Sequence, residues 1–314
     1  MNKNTGHANV INDGTDKMGT RFITAGLLTE IQVVRVMELQ NAENIRFGEA
    51  AVRLGLLSEQ DVQAVLSKQF NYATALPSAN IDASLEIAHA PFSLEAEAIR
   101  QIRAELGIRL GDESKISLAI VSPNEGEGKS YLAASLAIAF SQTGKRTLLI
   151  DANMRAPRQQ TLFGISGKTG LSTILAGRTS VDAGEIPASF PLLHVLCAGP
   201  KPPNPLEILA KPALSDLIAK LHDDFDVFIV DTPPANTSSD AQAIAQQVGV
   251  CLLVGQQHVS TLSNLRRTQE QMKTAGAQVI GTIYNSYSNR NTAAAAGTQR
   301  WSRLRQWLAH IRNR

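Results

Sequence analysis

The sequence predicts an α/β fold in which a mostly parallel central sheet is covered by helices on both faces, together with a small N-terminal α-rich repeat domain. Apolar segments of strand length alternate with helical patterns from residue 93 onward, which is typical of parallel sheets buried on both faces. A segment near the N-terminus occurs twice. The 314-residue chain is 43% hydrophobic and 18% charged, which is sufficient apolar material for a large core.

The composition argues against several classes of protein. The net charge is +2, so nothing in the charge balance indicates a nucleic-acid partner. Cys197 and Cys251 lie in short apolar segments and are interpreted as buried small hydrophobes rather than as disulfide or zinc ligands. No apolar run approaches the ~18 residues that span a bilayer, and the polar N-terminus lacks a signal-peptide pattern. We therefore expect a cytoplasmic protein that does not bind nucleic acid.

The N-terminal region contains the repeat. Residues 1–16 are polar and predicted to be disordered, and a repeat domain over 17–76 and a linker over 77–92 follow. The copies are residues 18–40 and 47–69, and in both a helix start resembles a capping box, with Thr29 before Gln32 and Ser58 before Asp61. Matching apolar positions follow these starts: Val33, Val36 and Met37, then Val62, Val65 and Leu66.

A larger domain is predicted over residues 93–287, because strand and helix patterns alternate there. It begins with a helix from about 93 to 110. Further helices are predicted over 131–143, 213–222 and 262–275. The predicted strands are 116–122, 146–151, 193–199, 226–231, 250–255 and 278–285.

Residues 288–314 are predicted to form a second linker and a basic amphipathic C-terminal helix. Residues 300–314 hold five arginines and no acidic residue. Such a helix can lie on an anionic bilayer at the inner face of the membrane, or dock on a juxtamembrane partner. The alternative is a helix packed back on the larger domain. The apolar residues that would share one side of this helix are Trp301, Leu304, Trp307, Leu308 and Ile311.

A glycine-rich segment, PNEGEGKS at residues 123–130, joins the first predicted strand to the next helix. Such a loop wraps backbone N–H groups around phosphates, with a lysine for the β- and γ-phosphates and a hydroxyl for Mg²⁺. Pro123 stands where the generic pattern has glycine. We predict a P-loop NTPase fold that binds ATP and Mg²⁺. The candidate nucleotide-contacting residues are Gly126, Glu127, Gly128, Lys129, Ser130, Tyr131 and Asn285.

Two acidic residues end predicted strands beside this loop. Asp231 ends DVFIVD, and Asp151 ends RTLLID and opens DANMRAPR. Carboxylates at the carboxyl ends of parallel strands can hold Mg²⁺. Asp151 can also accept a hydroxyl proton, and Arg155 can neutralise phosphate charge. We therefore assign the metal site to Ser130, Asp151 and Asp231. We assign catalysis to Lys129, Asp151, Arg155 and Asp231. The alternative is that the two acids are turn or helix-cap residues and that the arginine is an ordinary surface residue.

With these segments in place, residues 93–287 resemble the bacterial tyrosine kinases paired with chain-length determinants in exopolysaccharide export. The resemblance implies that PNEGEGKS is Walker A, LLIDANMR is Walker A′ and FDVFIVDTPP is Walker B. It implies an ATP-dependent protein-tyrosine (auto)kinase that regulates polysaccharide chain length or export. It also implies a separate membrane chain-length-determinant partner, and a homo-oligomeric ring assembled through Glu97, Arg100 and Arg103.

The sequence departs from this family at two places. Asn153 replaces the second acid of Walker A′, and the C-terminal tyrosine cluster is missing, since no tyrosine follows Tyr287. Two alternatives therefore stay open: a nucleotide-dependent scaffold without kinase chemistry, and an ATPase of the partitioning type. Partitioning ATPases carry a second lysine five residues before the P-loop lysine, where this chain has Asn124.

The N-terminal repeat resembles the N-terminal domain of secretion and pilus-assembly ATPases. Some of those domains bind cyclic di-GMP through a tandem motif that begins Arg-Leu-Gly and ends in Gln. The alternative is a helical docking module whose repeat only builds a core. The residues that would match the motif are Lys17, Gly19 and Gln40 in the first copy and Arg46, Gly48 and Gln69 in the second.

Overall fold

The computed structural model describes residues 15–69, 73–75, 79–111, 115–181 and 184–286. The predicted disorder of residues 1–14 and the predicted linker and helix after residue 287 lie outside these ranges, as do Tyr72 and Tyr287. Within these ranges, no helix is both long and apolar enough to cross a membrane.

The larger domain is built on six parallel strands, which confirms the predicted sheet. The strands are β1 (Ile116–Val121), β2 (Thr147–Asp151), β3 (Leu193–Leu196), β4 (Val227–Asp231), β5 (Val250–Gln256) and β6 (Gln278–Asn285). Their order across the sheet is β3-β2-β4-β1-β5-β6. The P-loop strand β1 is therefore flanked by β4 and β5, and β4 separates it from β2.

Helices cover the sheet, and four more form the N-terminal repeat. The N-terminal helices are α1 (Thr15–Thr24), α2 (Glu30–Glu43), α3 (Phe47–Arg53) and α4 (Glu59–Gln69). The larger domain contains α5 (Glu86–His89), α6 (Leu94–Leu110), α7 (Lys129–Ser141), α8 (Gln159–Phe163), α9 (Leu171–Leu175), α10 (Pro205–Leu209), α11 (Ala213–Lys220), α12 (Asp240–Val248) and α13 (Leu262–Thr274).

The two faces of the sheet carry separate apolar cores. Successive strand residues point to opposite faces, so Leu118 and Ile120 of β1 join the core under α6 and α7. Ala119 and Val121 join the core under α10, α11 and α12. Because both faces of the sheet are buried, the sequences of the central strands are continuous apolar runs.

The segment expected to link the two domains is part of the larger domain. Ile81, Leu85 and Ile87 are buried in the same core as α6 and α7, and the Asp82 N–H donates to the Leu162 carbonyl at 2.8 Å. The linker prediction is therefore wrong for residues 79–92. Its apolar residues follow no regular period, so their burial was not visible in the sequence.

The N-terminal repeat folds as two helical pairs, α1–α2 and α3–α4. The Thr29 capping box with Gln32 is confirmed, and Ser58 and Asp61 exchange the equivalent hydrogen bonds. Phe22 stacks on Phe47 with ring centroids 5.7 Å apart. Residues 15 and 16, expected to be disordered, belong to α1.

Gly19 and Gly48 occupy equivalent positions where helices pack closely. A Cβ on Gly19 would lie 2.6 Å from Cγ1 of Val33, and one on Gly48 would lie 2.6 Å from Cγ1 of Val62. Both distances are far shorter than carbon–carbon contact. Since β-branched valine cannot swing away cheaply, the repeated glycines are explained by helix packing within each copy.

Candidate nucleotide and phosphoryl-transfer site

The predicted P-loop and both strand-end acids meet at the carboxyl edge of the sheet. β4 lies between β1 and β2, and Asp151 is the register partner of Asp231. The P-loop leaves β1 at the same edge and ends where α7 begins, at Lys129. Open parallel sheets bind ligands in this position, so three segments distant in sequence form one site.

Two glycines give the P-loop its path. Gly126 has a φ of 76° and Gly128 a φ of 97°, a left-handed region that favours glycine. Gly128 is also the N-cap of α7, and a Cβ there would lie 2.5 Å from Nδ2 of Asn285. The backbone conformation therefore favours glycine at residue 128, and a larger residue there would also displace the Asn285 amide.

Lys129 is buried at the start of α7, with 6% of its surface exposed. Its Nζ donates to Oγ of Ser122 at 2.8 Å and to the carbonyl of Asn124 at 3.0 Å. Burial lowers the pKa of this ammonium, while the charges of Asp231 and Glu127 oppose the shift. The lysine is thus held within its own loop, where a phosphate would be a stronger partner.

Glu127 connects the P-loop to the segment after β5 and to the end of β6. Its buried carboxylate accepts from the Asn124 N–H at 2.7 Å and from the Ser260 hydroxyl, which follows β5. Asn285, at the end of β6, donates Nδ2 to the Glu127 carbonyl at 3.1 Å. The structure therefore brings Glu127 and Asn285 together, as expected of two residues of one site. Ser260 was not predicted, and no local motif marks it.

Asp231 and Ser130 form the part of the site that fits Mg²⁺. Asp231 is fully buried; burial raises its pKa, while the Ser130 hydroxyl and Gln159 oppose the shift. Its Oδ1 has no hydrogen-bond partner within the described residues. An unpartnered buried carboxylate oxygen beside a hydroxyl is a suitable donor set for a hard cation.

Asp151 is the second buried carboxylate. Its Oδ1 accepts from the Asn153 N–H at 3.1 Å, and Oδ2 accepts from the N–H groups of Arg158 and Gln159 at 2.9 and 3.0 Å. Burial, followed by the charge of Asp231, raises its pKa to about 7, although these backbone hydrogen bonds oppose the shift. A carboxylate with such a pKa can exchange a proton near neutral pH.

The side chains of Asn153 and Arg155, the other polar residues of Walker A′, bind groups other than the two strand-end acids. The Asn153 side chain accepts from the Ala156 N–H at 3.2 Å. Arg155 donates Nε and Nη2 to the two carboxylate oxygens of Asp240, at 2.7 and 3.1 Å. In this structure the Arg155 guanidinium is therefore engaged by Asp240 rather than by Asp151 or Asp231. Asp240 begins α12 and was not identified in the sequence.

The described tyrosines differ sharply in environment. Tyr131, in the first turn of α7, is partly buried and packs against the core, and burial raises the pKa of its hydroxyl. Tyr284 lies in β6, as predicted, and is 67% exposed.

Gln159 enters the site without any motif to mark it. This first residue of α8 is fully buried. Its Nε2 donates to Oδ2 of Asp231 at 2.8 Å and to the Ser130 carbonyl at 3.1 Å. Gln159 belongs to none of the motifs identified in the sequence, so the sequence offered no signal for this contact.

The predicted assembly residues lie on α6. Glu97 pairs with Arg100 at 2.9 Å, with 53% of the Glu97 side chain and 12% of the Arg100 side chain exposed. Arg100 also donates to the Pro91 carbonyl. Arg103 donates to the Ala139 carbonyl of α7 at 3.0 Å. Both arginines therefore anchor α6 within the chain, and Glu97 is the most exposed of the three.

The residues assigned to a cyclic dinucleotide have mixed environments. Arg46 is exposed at the N-cap of α3, and Gln40 is half-buried. Gly19 and Gly48 pack on valines. The side chains of Lys17 and Gln69 lie outside the described part of the structure.

Comparison with known proteins places this site in a family. A protein-family sequence model, described as ParA: NUBPL iron-transfer P-loop NTPase, matches residues 113–300. This match covers more than half of the chain. Tyrosine-protein kinase YwqD of Bacillus subtilis is 33% identical over 195 residues, covering 62% of this chain and 82% of YwqD. The kinase domain of the Escherichia coli tyrosine kinase Etk gives a TM-score of 0.62 at 28% identity, covering 68% of this chain and 83% of that domain.

Longer relatives match over part of their length. Tyrosine-protein kinase Wzc of Salmonella typhi is 34% identical over 202 residues, which cover 64% of this chain and 28% of Wzc. Residues 113–300, which the family model matches, contain the P-loop and both strand-end acids described above. This chain therefore belongs to the P-loop NTPase family and, within it, to the bacterial tyrosine-protein kinases.

Proposed function

We propose that this chain is an ATP-dependent protein-tyrosine kinase that regulates exopolysaccharide chain length or export. The observation that carries the proposal is the buried pair Asp151 and Asp231, placed side by side at the end of β2 and β4 next to the P-loop lysine. A plain structural role would not favour two buried carboxylates on neighbouring strand ends, because nearby like charges make ionisation more costly.

The roles follow from the positions of the side chains. Lys129 and the glycine-rich loop bind the β- and γ-phosphates, with Lys129 leaving its partners Ser122 and Asn124. Ser130 and Asp231 would hold Mg²⁺, which would neutralise charge on the phosphate oxygens. Asp151 was also assigned to the metal from the sequence, but both of its carboxylate oxygens accept backbone N–H groups in this structure. Asp151, whose pKa is raised to about 7, accepts the proton of the attacking tyrosine hydroxyl. Arg155 reaches a phosphate only if it releases Asp240.

The test is phosphate transfer from radiolabelled ATP with Mg²⁺ to tyrosine, scored against released phosphate. Phosphotyrosine supports the kinase, whereas released phosphate without phosphotyrosine supports a partitioning-type ATPase. Bound nucleotide with neither product supports the scaffold. Peptide mapping then identifies the acceptor. Tyr287, just past the strand that holds Tyr284, is the first candidate within the chain, since Tyr284 belongs to β6 and Tyr131 is partly buried against the core.

We propose that copies of the chain assemble through α6 into a homo-oligomeric ring. We also propose that the chain acts with a membrane chain-length determinant. Glu97 is the exposed member of the α6 charge cluster, so it is the group available to a neighbouring copy. Glu97→Lys should reduce the mass measured by light scattering, because reversing the charge converts attraction into repulsion. Glu95→Lys, in the same helical turn, is the control. An unchanged mass for Glu97→Lys would rule out this interface.

We propose that residues 17–69 bind cyclic di-GMP, a two-fold symmetric ligand suited to two equivalent half-sites. The support is the repeat itself and the exposed Arg46, which can pair with a phosphate or a guanine edge. Lys17 lacks the planar fork of arginine and makes a weaker half-site. Calorimetry of the full chain with ~100 μM ligand, well above a Kd of ~1 μM, should give heat that Arg46→Ala removes and Arg35→Ala retains. No heat would favour a docking module.

Peripheral membrane contact is proposed for the basic segment after residue 297, which lies outside the described residues. Five arginines without an acid support it. Sedimentation with anionic vesicles, with and without residues 298–314, tests it, and equal binding by both chains would refute it.

A further inference from the structure

Gln159 bridges the elements that carry the cation site. Its Nε2 donates one hydrogen to Oδ2 of Asp231 at 2.8 Å and the other to the Ser130 carbonyl at 3.1 Å. Its own backbone N–H donates to Oδ2 of Asp151 at 3.0 Å. One residue therefore joins Walker A, Walker A′ and Walker B, although it belongs to none of these motifs.

The orientation of the Gln159 amide is dictated by its partners. The Asp231 carboxylate and the Ser130 carbonyl both accept hydrogen bonds, and only the amide nitrogen can donate to them. A flipped amide would place its oxygen against two acceptors. The Gln159 oxygen, Oε1, is therefore turned to the remaining space, where it is buried and has no hydrogen-bond partner among the residues that the structure describes.

Two acceptor oxygens are consequently left unsatisfied in one buried cluster, namely Oε1 of Gln159 and Oδ1 of Asp231. A buried acceptor without a partner costs about 1–3 kcal/mol, so such atoms in a native fold point to a missing donor or cation. Because both missing partners must be positive or hydrogen-donating, the cluster is complementary to a hydrated divalent cation.

We propose that Gln159 is a positioning residue for the divalent cation of this site, an inference that rests on the cation site proposed above. Gln159 holds Asp231 through Oδ2, which directs Oδ1 to the metal. Its Oε1 accepts a hydrogen bond from a metal-bound water. Residues in contact with a metal ligand commonly orient it in this way, and their loss weakens metal affinity by about 10–100-fold.

The test compares ADP affinity of the full chain in EDTA and in Mg²⁺, measured by calorimetry. Gln159→Met keeps the side-chain volume and removes both donated hydrogen bonds. We expect it to lower the gain in affinity due to Mg²⁺ by about tenfold and to leave the affinity in EDTA unchanged. Gln160→Met, the same change one position along, should behave as the wild type.

Gln159→Asn supplies a second variant if the methionine chain does not fold. It keeps the amide but is one methylene too short to bridge Asp231 and Ser130, so the same tenfold loss is expected. A full Mg²⁺ gain in either folded variant would overturn the role of Gln159. If the ADP affinity of the wild-type chain is the same in EDTA and in Mg²⁺, the cation site itself is wrong, and this inference fails with it.

Discussion

Lys129→Met should reduce phosphotyrosine formation by at least about a hundredfold, which is typical when a charged transition-state contact is removed. Lys129 is the side-chain cation at the start of α7, buried against Ser122 and Asn124. Methionine fills a similar volume without the ammonium, so charge developing on the transferred phosphoryl group loses its partner. ATP affinity should fall as well.

We expect this variant to fold. Burial disfavours the charged form of Lys129 and lowers its pKa, so removing the charge should not destabilise the fold. A thermal melt close to that of the wild type checks this expectation. Lys220→Met, at the end of α11 and shortly before β4 begins, is the matched control and should keep full activity. If Lys129→Met transfers phosphate at the wild-type rate, the P-loop assignment is wrong.

Metal-free protein should lose stability as the pH rises from about 5 to about 8. The pKa of Asp151 is raised from 3.8 to about 7 by burial and by Asp231, and burial raises that of Asp231 in the same direction. Between these pH values the folded chain holds protons that the unfolded chain has released, so the free energy of unfolding falls with pH. For one proton, the two pH units between pH 5 and the folded Asp151 pKa of about 7 correspond to about 3 kcal/mol.

Urea unfolding in EDTA, followed by circular dichroism at both pH values, measures this change. Asp231→Asn removes one charge of the pair and one cause of the raised Asp151 pKa, so its stability should depend less on pH. It should be more stable than the wild type at pH 8 and inactive as a kinase. An equal pH dependence in both chains would show that the carboxylates do not interact.

Much of the fold was predictable because its signals are local. The six strands were found within a few residues of their observed ends, since buried parallel strands are continuous apolar runs. The helices α8, α9 and α10 were not predicted, because five-residue helices depend on tertiary contacts rather than on periodicity. α12 was also missed, although Ala241, Ile244 and Ala245 are buried with helical spacing.

The site was only partly predictable. Lys129, Asp151 and Asp231 were identified because each stands at a strand end or helix start, where the surrounding sequence is distinctive. Gln159 and Ser260 were not, because their partners lie far away in the chain: Asp231 for the first and Glu127 for the second. Such contacts depend on how loops pack, which no short motif encodes.

Read alone, the sequence established that a strand, a phosphate-binding loop and a helix follow one another and that two acids end buried strands. These features depend on neighbouring residues, whose side-chain period and backbone preferences are set locally. Long-range packing decided the rest. It placed β4 between β1 and β2 and thereby set Asp151 beside Asp231, where exclusion of water raises both pKa values and the charge of Asp231 raises that of Asp151 further. It also buried Ile81, Leu85 and Ile87 of the segment 79–92 in the core, because burial is a property of the assembled chain.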